Sequence, residues 1–136
     1  MAKFLCFSIS LFFSLTAFAQ PRTGMASYYH TKFSGKKTAS GDIFNNQKMT
    51  AASNHFSLGD WVKVTNLQTG KSVFVVINDR MAKNSPRLID LTHAAAKHLN
   101  FLDRGICRVS VEKCVRPDGL AEKESESLAD TSGVIR

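Results

Sequence analysis

Between Trp61 and Thr65 apolar and polar residues alternate (Trp-Val-Lys-Val-Thr), and beyond Asn66-Leu-Gln-Thr-Gly70 an unbroken apolar run extends from Val73 to Ile77. Two strand-like segments joined by a short Asn- and Gly-containing connection predict a β-hairpin. The unbroken run predicts that its second strand is covered on both faces, as a central strand of a small barrel would be. A further strand is expected over Gly24 to Tyr29, followed by a polar, Lys- and Gly-containing loop through Gly41. Leu91, Ala95, Leu99 and Leu102 recur at helical spacing, and Thr92 stands where an N-cap belongs, so one short helix is predicted over His93 to Leu99. A last strand is expected over Gly105 to Lys113. The sum is a mostly β domain with one short α-helix and with its polar residues gathered on loops, where function should sit.

The hydrophobic pattern also marks off both ends. Lys3 is followed by an uncharged, largely apolar stretch from Phe4 to Phe18, and Ala17-Phe18-Ala19 supplies small residues before a cleavage point. Residues 1–19 are therefore expected to be a signal peptide cut before Gln20, directing the protein to the periplasm or outside the cell. The run is shorter than the roughly 18–20 residues that span a bilayer. Cys6 lies near the start of the apolar stretch instead of directly after its small residues, so no lipid anchor is expected. From Val115 onward the chain is polar and charged without periodicity, and residues 115–136 are expected to form a disordered tail. What lies between, residues 20–114, suits one compact domain.

Charge and cysteines narrow the setting. The chain carries a formal +7, and residues 20–114 hold 14 Lys and Arg against six Asp and Glu, whereas the tail holds three against five. A basic domain attracts polyanions in general. An exported one meets the bacterial wall and membrane, and the interleaved aromatic and basic residues of single-strand binders are missing, so nucleic acid is not expected as a partner. Cys107 and Cys114 both follow the leader and would meet an oxidising compartment. If the segment between them is one strand, seven steps place the sulfurs on opposite faces about 23 Å apart, and an internal bridge would require that strand to end before Cys114.

Candidate chemistry rests on few groups. The sequence has no His-Glu-x-x-His, no Cys-x-x-Cys and no Gly-rich phosphate loop. His93 and His98, five residues apart on a helix, fall on different faces. No metal or cofactor is therefore expected. Acid–base work on a sugar needs a carboxyl group, and residues 20–114 offer Asp42, Asp60, Asp79, Asp90, Asp103 and Glu112. Asp60 and Asp103 sit in turn contexts, Glu112 has charged neighbours in a terminal strand, and Asp90 is placed to support the start of the helix. Asp79 differs, because a buried apolar strand delivers Asn78-Asp79-Arg80 at its end. There it could serve as an acid, or be occupied by an Asx turn or an ion pair with Arg80. Asp42, after Gly41 in a polar loop, reads as turn chemistry by itself.

An ordered set of short motifs adds to this reading: Gly24-Met-Ala-Ser-Tyr-Tyr29, Thr38-Ala-Ser-Gly-Asp42, Met49-Thr-Ala-Ala52, Val64-Thr-Asn-Leu67, Ile77-Asn-Asp-Arg80 and Arg87-Leu-Ile-Asp-Leu91. Their order over Gly24 to Val111 resembles that of the rare lipoprotein A (RlpA-like) proteins. The resemblance implies a six-stranded double-psi β-barrel related to expansins. It implies a lytic transglycosylase that cuts the β-1,4 bond between N-acetylmuramic acid and N-acetylglucosamine in peptidoglycan glycan strands, leaving a 1,6-anhydro end. It places the catalytic acid and base on Asp79 and a second acidic site residue on Asp42, where the family has Glu. It puts Ser53 where the family has His, with His55 two positions on as a substitute. Tyr28, Asn78, Arg80 and Asp90 complete the supporting set. Tyr28 and Tyr29 point to opposite strand faces, one to stack on sugar rings and the other to fill core, and the sequence leaves that choice open. The two departures motivate an alternative, an expansin-like wall-binding or wall-loosening module without turnover. The protein is expected to be a monomer.

Overall fold

The computed structural model describes residues 20–117. The leader over 1–19 and residues 118–136 of the expected tail lie outside the described residues; 115–117 follow the last strand without regular structure. Six strands close a barrel: β1 (Arg22–Tyr28), β2 (Thr50–Ala52), β3 (Trp61–Asn66), β4 (Ser72–Asp79), β5 (Ile89–Leu91) and β6 (Cys107–Cys114), with the helix α1 (His93–His98) between the last two. Around the barrel they run β1-β5-β2-β4-β3-β6. Pairs β1–β5 and β2–β4 are parallel and the other four antiparallel. Each parallel pair joins strands distant in the chain, so the connecting loops cross over the barrel instead of turning back as hairpins.

Alternation fills the interior. Ala26 of β1, Val62 and Val64 of β3, Val73, Val75 and Ile77 of β4, Ile89 and Leu91 of β5, and Val109 and Val111 of β6 point inward and pack into one core. The hairpin forms as predicted, with Val62 opposite Val75 and Val64 opposite Val73. The expectation that β4 is covered on both faces is met on one face only: Phe74 and Val76, on the outer face, are half-buried. Two three-residue strands, β2 and β5, carry too few residues for a period to show, which is why the hydrophobic pattern passed over them.

The helix starts at His93 and ends one residue short of Leu99. Thr92 caps it: its Oγ1 accepts from Ala95 N and donates to Lys48 O at 2.6 Å, tying the helix start to the loop before β2. Ala95, Ala96 and Leu99 are buried against the barrel. Asn66, 2% exposed, donates from Nδ2 to Leu99 O and accepts from Gln68 N, so one amide joins the β3–β4 turn to the helix end.

β6 runs unbroken through both cysteines, and Cys107 and Cys114 are free thiols. Burial pushes both thiols above their ordinary value. An extended strand with an odd spacing keeps the two sulfurs on opposite faces.

Gly24 marks a close approach. A Cβ there would lie 2.8 Å from Leu88 Cβ, a separation that forces one of the two chains to move. Leu88 N also donates to Met25 O at 2.9 Å, so the segment entering β5 is held against β1 where the methyl would go. Gly24→Ala is expected to destabilise the barrel by about 1–3 kcal/mol, the usual cost of overpacking. Urea unfolding would measure it, and an unchanged midpoint would mean that Leu88 yields freely.

Candidate active site

The outer face of the sheet formed by β1, β5, β2 and β4 carries the candidate site. Register lines up one residue from each strand: Ser27 opposite Asp90, Asp90 opposite Ala52, and Ala52 opposite Asp79. Across two strand spacings Asp79 and Asp90 stand roughly 10 Å apart, with a single methyl, that of Ala52, between them.

Asp79 reaches this face through an irregularity in β4. Strict alternation would send Asp79 inward after Val75 and Ile77. Instead the register against β2 slips by one: Ala51 pairs with Ile77, but Ala52 pairs with Asp79, leaving Asn78 without an opposite residue on β2. A slip of this kind re-aims the following side chain, and such bulges favour active sites. Asp79 is consequently half-buried instead of sealed in the core.

Three donors then hold its carboxylate. Oδ2 accepts from the Tyr29 hydroxyl at 2.6 Å, and Oδ1 accepts from the backbone N–H of Ala39 and of Arg80, both at 2.9 Å. Neither alternative the sequence left open at Asp79 forms: its backbone bond is to the next residue's N–H, not to the residue two on as an Asx turn requires, and no ion pair joins it to the Arg80 side chain. The guanidinium goes elsewhere, donating to the carbonyls of Ser53 (2.5 Å) and Phe56, where it braces the loop after β2.

Tyr29 follows β1 and lies on the same face as Ser27, two residues earlier. Its ring packs on Phe44 (centroids 4.4 Å apart) and against Phe33 (5.8 Å). Phe44, 4% exposed, anchors the long loop between β1 and β2, which brings Ala39 to Asp79. Burial first, then the hydrogen bond and charge of Asp79, then the charge of Asp90, push the Tyr29 phenol well above its ordinary value. That direction favours the protonated hydroxyl that donates to Asp79.

Tyr28, named as a substrate contact from sequence, is placed on the other side of the sheet. Its hydroxyl donates to Leu102 O at 2.7 Å, and its ring meets His93 edge-on and Phe101 at a tilt. The tyrosine that joins the site is Tyr29. The alternation that separates the pair was legible, but which face would be the core was not.

The remaining candidates divide. Asp90 lies in the row but is occupied: Ser27 Oγ donates to Oδ1 at 2.6 Å, and Arg87 grips both oxygens, Nε to Oδ1 at 2.8 Å and Nη2 to Oδ2 at 3.1 Å. That bond and charge raise Arg87 further. Asp90 does not support the helix start, a task that falls to Thr92. Asp42 is exposed; Ser40 Oγ donates to its Oδ2 at 2.9 Å, and it lines a cleft of about 330 Å³ with Lys48, Thr50, Val76 and Asn78. Ser53 is fully buried: its Oγ donates to Leu88 O and accepts from His55 N, so it pins the loop and presents nothing to a ligand. His55 is exposed and lines a different cleft, with Arg22, Asp60 and Lys113. Among the described residues no group of three His, Cys, Asp or Glu is placed to hold a metal ion.

Comparison with known proteins agrees with this barrel. A family model described as lytic transglycolase matches residues 22–111. The chain is 48% identical over 91 residues to the endolytic peptidoglycan transglycosylase RlpA of Haemophilus influenzae, covering 67% of this chain and 32% of that protein. To the protein of the same name from Pseudomonas aeruginosa it is 49% identical over 89 residues, 65% of this chain and 26% of that one. With a probable RlpA from Treponema pallidum it shares 41% identity over 112 residues, 82% and 35% of the two chains. It thus spans about a third or less of the length of these relatives. Among solved structures, Streptomyces papain inhibitor superposes with a TM-score of 0.57 at 24% identity, covering 71% of this chain and 96% of that one. An expansin from Clavibacter michiganensis superposes at 0.56 and 21% identity, covering 71% and 52%. These two likenesses concern the fold. By the match over nearly all of its barrel, this chain belongs to the lytic transglycolase family of RlpA-like double-psi β-barrels.

Proposed function

We propose that this chain is an endolytic peptidoglycan lytic transglycosylase, exported by its leader and released before Gln20 as a soluble monomer. The observation that carries the reading is the half-buried carboxyl of Asp79, held from three sides on the outer face of the sheet. The curated relatives' names specify the same activity on peptidoglycan.

In this reading a glycan strand lies across the outer face with its glycosidic oxygen at Asp79. The Asp79 carboxyl gives its proton to the leaving oxygen as the C1–O4 bond breaks. The C6 hydroxyl of the same N-acetylmuramic acid bonds to C1, and its proton returns to the Asp79 carboxylate. One carboxyl acts as acid and then as base, and water is not consumed. Asp90, tied to Arg87 and Ser27, is poorly placed to be the second carboxylate of a hydrolytic pair, and the exposed Asp42 is the other carboxylate whose part the product analysis decides.

Purified protein incubated with peptide-free glycan strands is expected to release fragments with 1,6-anhydro ends, each lighter by one water than a hydrolytic product in mass spectrometry. Ends of hydrolytic mass would refute the mechanism. A second reading, a glycan-binding module without turnover, draws on the inward-turned Ser53 and the shorter Asp42. It predicts binding to sacculi with no new ends.

A further inference from the structure

Residues 38–42 form one tight turn at the edge of the site. Thr38 N donates to Asp42 O at 2.8 Å and Gly41 N to Thr38 O at 3.0 Å, with Gly41 in the left-handed region at φ 91°. Adjacent residues of this turn each hold a different carboxylate. Ala39 N donates to Asp79 Oδ1, and Ser40 Oγ donates to Asp42 Oδ2, both at 2.9 Å. Ser40 N also donates to the carbonyl of Asn78, the residue before Asp79, at 3.1 Å. Ser40 is thus the joint between Asp42 and the end of β4. A hydroxyl has a single proton to give. Ser40 gives its own to Asp42, so its 3.0 Å contact with Thr38 Oγ1 is one in which Thr38 donates. Buried Thr38 anchors this chain of hydroxyls, whereas Ser40 and Asp42 are exposed and neither side chain fills the core.

We infer that Ser40 is a positioning residue: it fixes the Asp42 carboxylate toward the cleft that Asp42 shares with Lys48, Thr50 and Asn78, at a set offset from Asp79. An Asp side chain on an exposed loop otherwise turns about its own bonds. A hydroxyl that is itself held by Thr38, on a backbone held by Asn78, removes that freedom before any substrate arrives. Because the hydroxyl touches no neighbour other than Thr38 and Asp42 among the printed bonds of this turn, its effect on the reaction passes through Asp42. The inference rests on Asp42 taking part, beside Asp79, in the reaction proposed above.

Turnover of peptide-free glycan by Ser40→Ala, Asp42→Ala and the double variant tests it. Ser40→Ala is expected to lower kcat about tenfold with KM within about twofold, since misplacing a reacting group by about 1 Å can cost up to about a hundredfold. In the Asp42→Ala background the same change is expected to alter kcat by less than about twofold, because a residue that acts through Asp42 has nothing left to position. Ser40→Thr keeps the hydroxyl and is expected to stay within about threefold of the parent. Losses that multiply in the double variant, an unaltered kcat in Ser40→Ala, or a Ser40→Thr as slow as Ser40→Ala would each overturn the assignment. Where Asp42→Ala leaves no measurable turnover, the comparison of Ser40→Thr with Ser40→Ala decides. A parent that releases no anhydro ends would remove the enzyme reading, and the same set of variants would then be judged by glycan affinity in calorimetry. A parent that neither cuts nor binds glycan would remove both.

Discussion

Asp79→Asn is expected to lower kcat on peptide-free glycan by about 10²- to 10⁴-fold, the usual range for losing a positioned acid–base group, while the barrel stays folded. The amide is nearly isosteric. Its oxygen can still accept from the Ala39 and Arg80 N–H groups, and its NH₂ can donate to the Tyr29 hydroxyl, which accepts as readily as it donates. What the amide cannot do is hand a proton to a leaving oxygen and take one back. Glycan affinity should therefore persist as turnover disappears. Anhydro-end release by the variant within a few-fold of the parent would show that Asp79 is not the acid.

Tyr29→Phe is expected to reduce kcat by about 10- to 100-fold with KM nearly unchanged, because misplacement of a reacting group by about 1 Å can cost a hundredfold. The substitution keeps the ring against Phe44 and Phe33 and removes only the hydroxyl that fixes Oδ2 of Asp79. A purely packing role for Tyr29 predicts an unaltered kcat. Stability against pH offers an independent readout. The folded phenol is raised above its unfolded value of 10.0. Above that pH the unfolded chain loses this proton while the folded chain keeps it, so the contribution is fully present below pH 10 and fades as pH rises toward the folded value. The parent protein should accordingly lose stability faster than Tyr29→Phe above pH 10, read from urea midpoints. Parallel curves would argue that Tyr29 ionises as freely in the fold as outside it.

Much of the barrel was legible because it rests on local periodicity. The Trp61–Ile77 segment announced its hairpin, and the 3.6-residue recurrence from Leu91 announced α1 together with its Thr92 cap. The unbroken alternation of β6 kept Cys107 and Cys114 apart. Where few residues were available to define a period, as in β2 and β5, pattern reading had nothing to count, and only the ordered family motifs implied six strands. His55 was offered as a stand-in for the family histidine by proximity in sequence, but the loop after β2, braced by Arg80, carries it to another cleft.

The chain by itself determined its strand-rich class, its one helix, its basic domain, its motif order and the carboxyl at the end of β4, since each depends on neighbours along the sequence. Tertiary structure alone decided which of two adjacent tyrosines meets Asp79, that Arg87 and Ser27 occupy Asp90, and that a one-residue slip beside Ala52 turns Asp79 out of the core. Those outcomes depend on register between strands far apart in the chain, and a shift of one residue there exchanges the inner face for the outer.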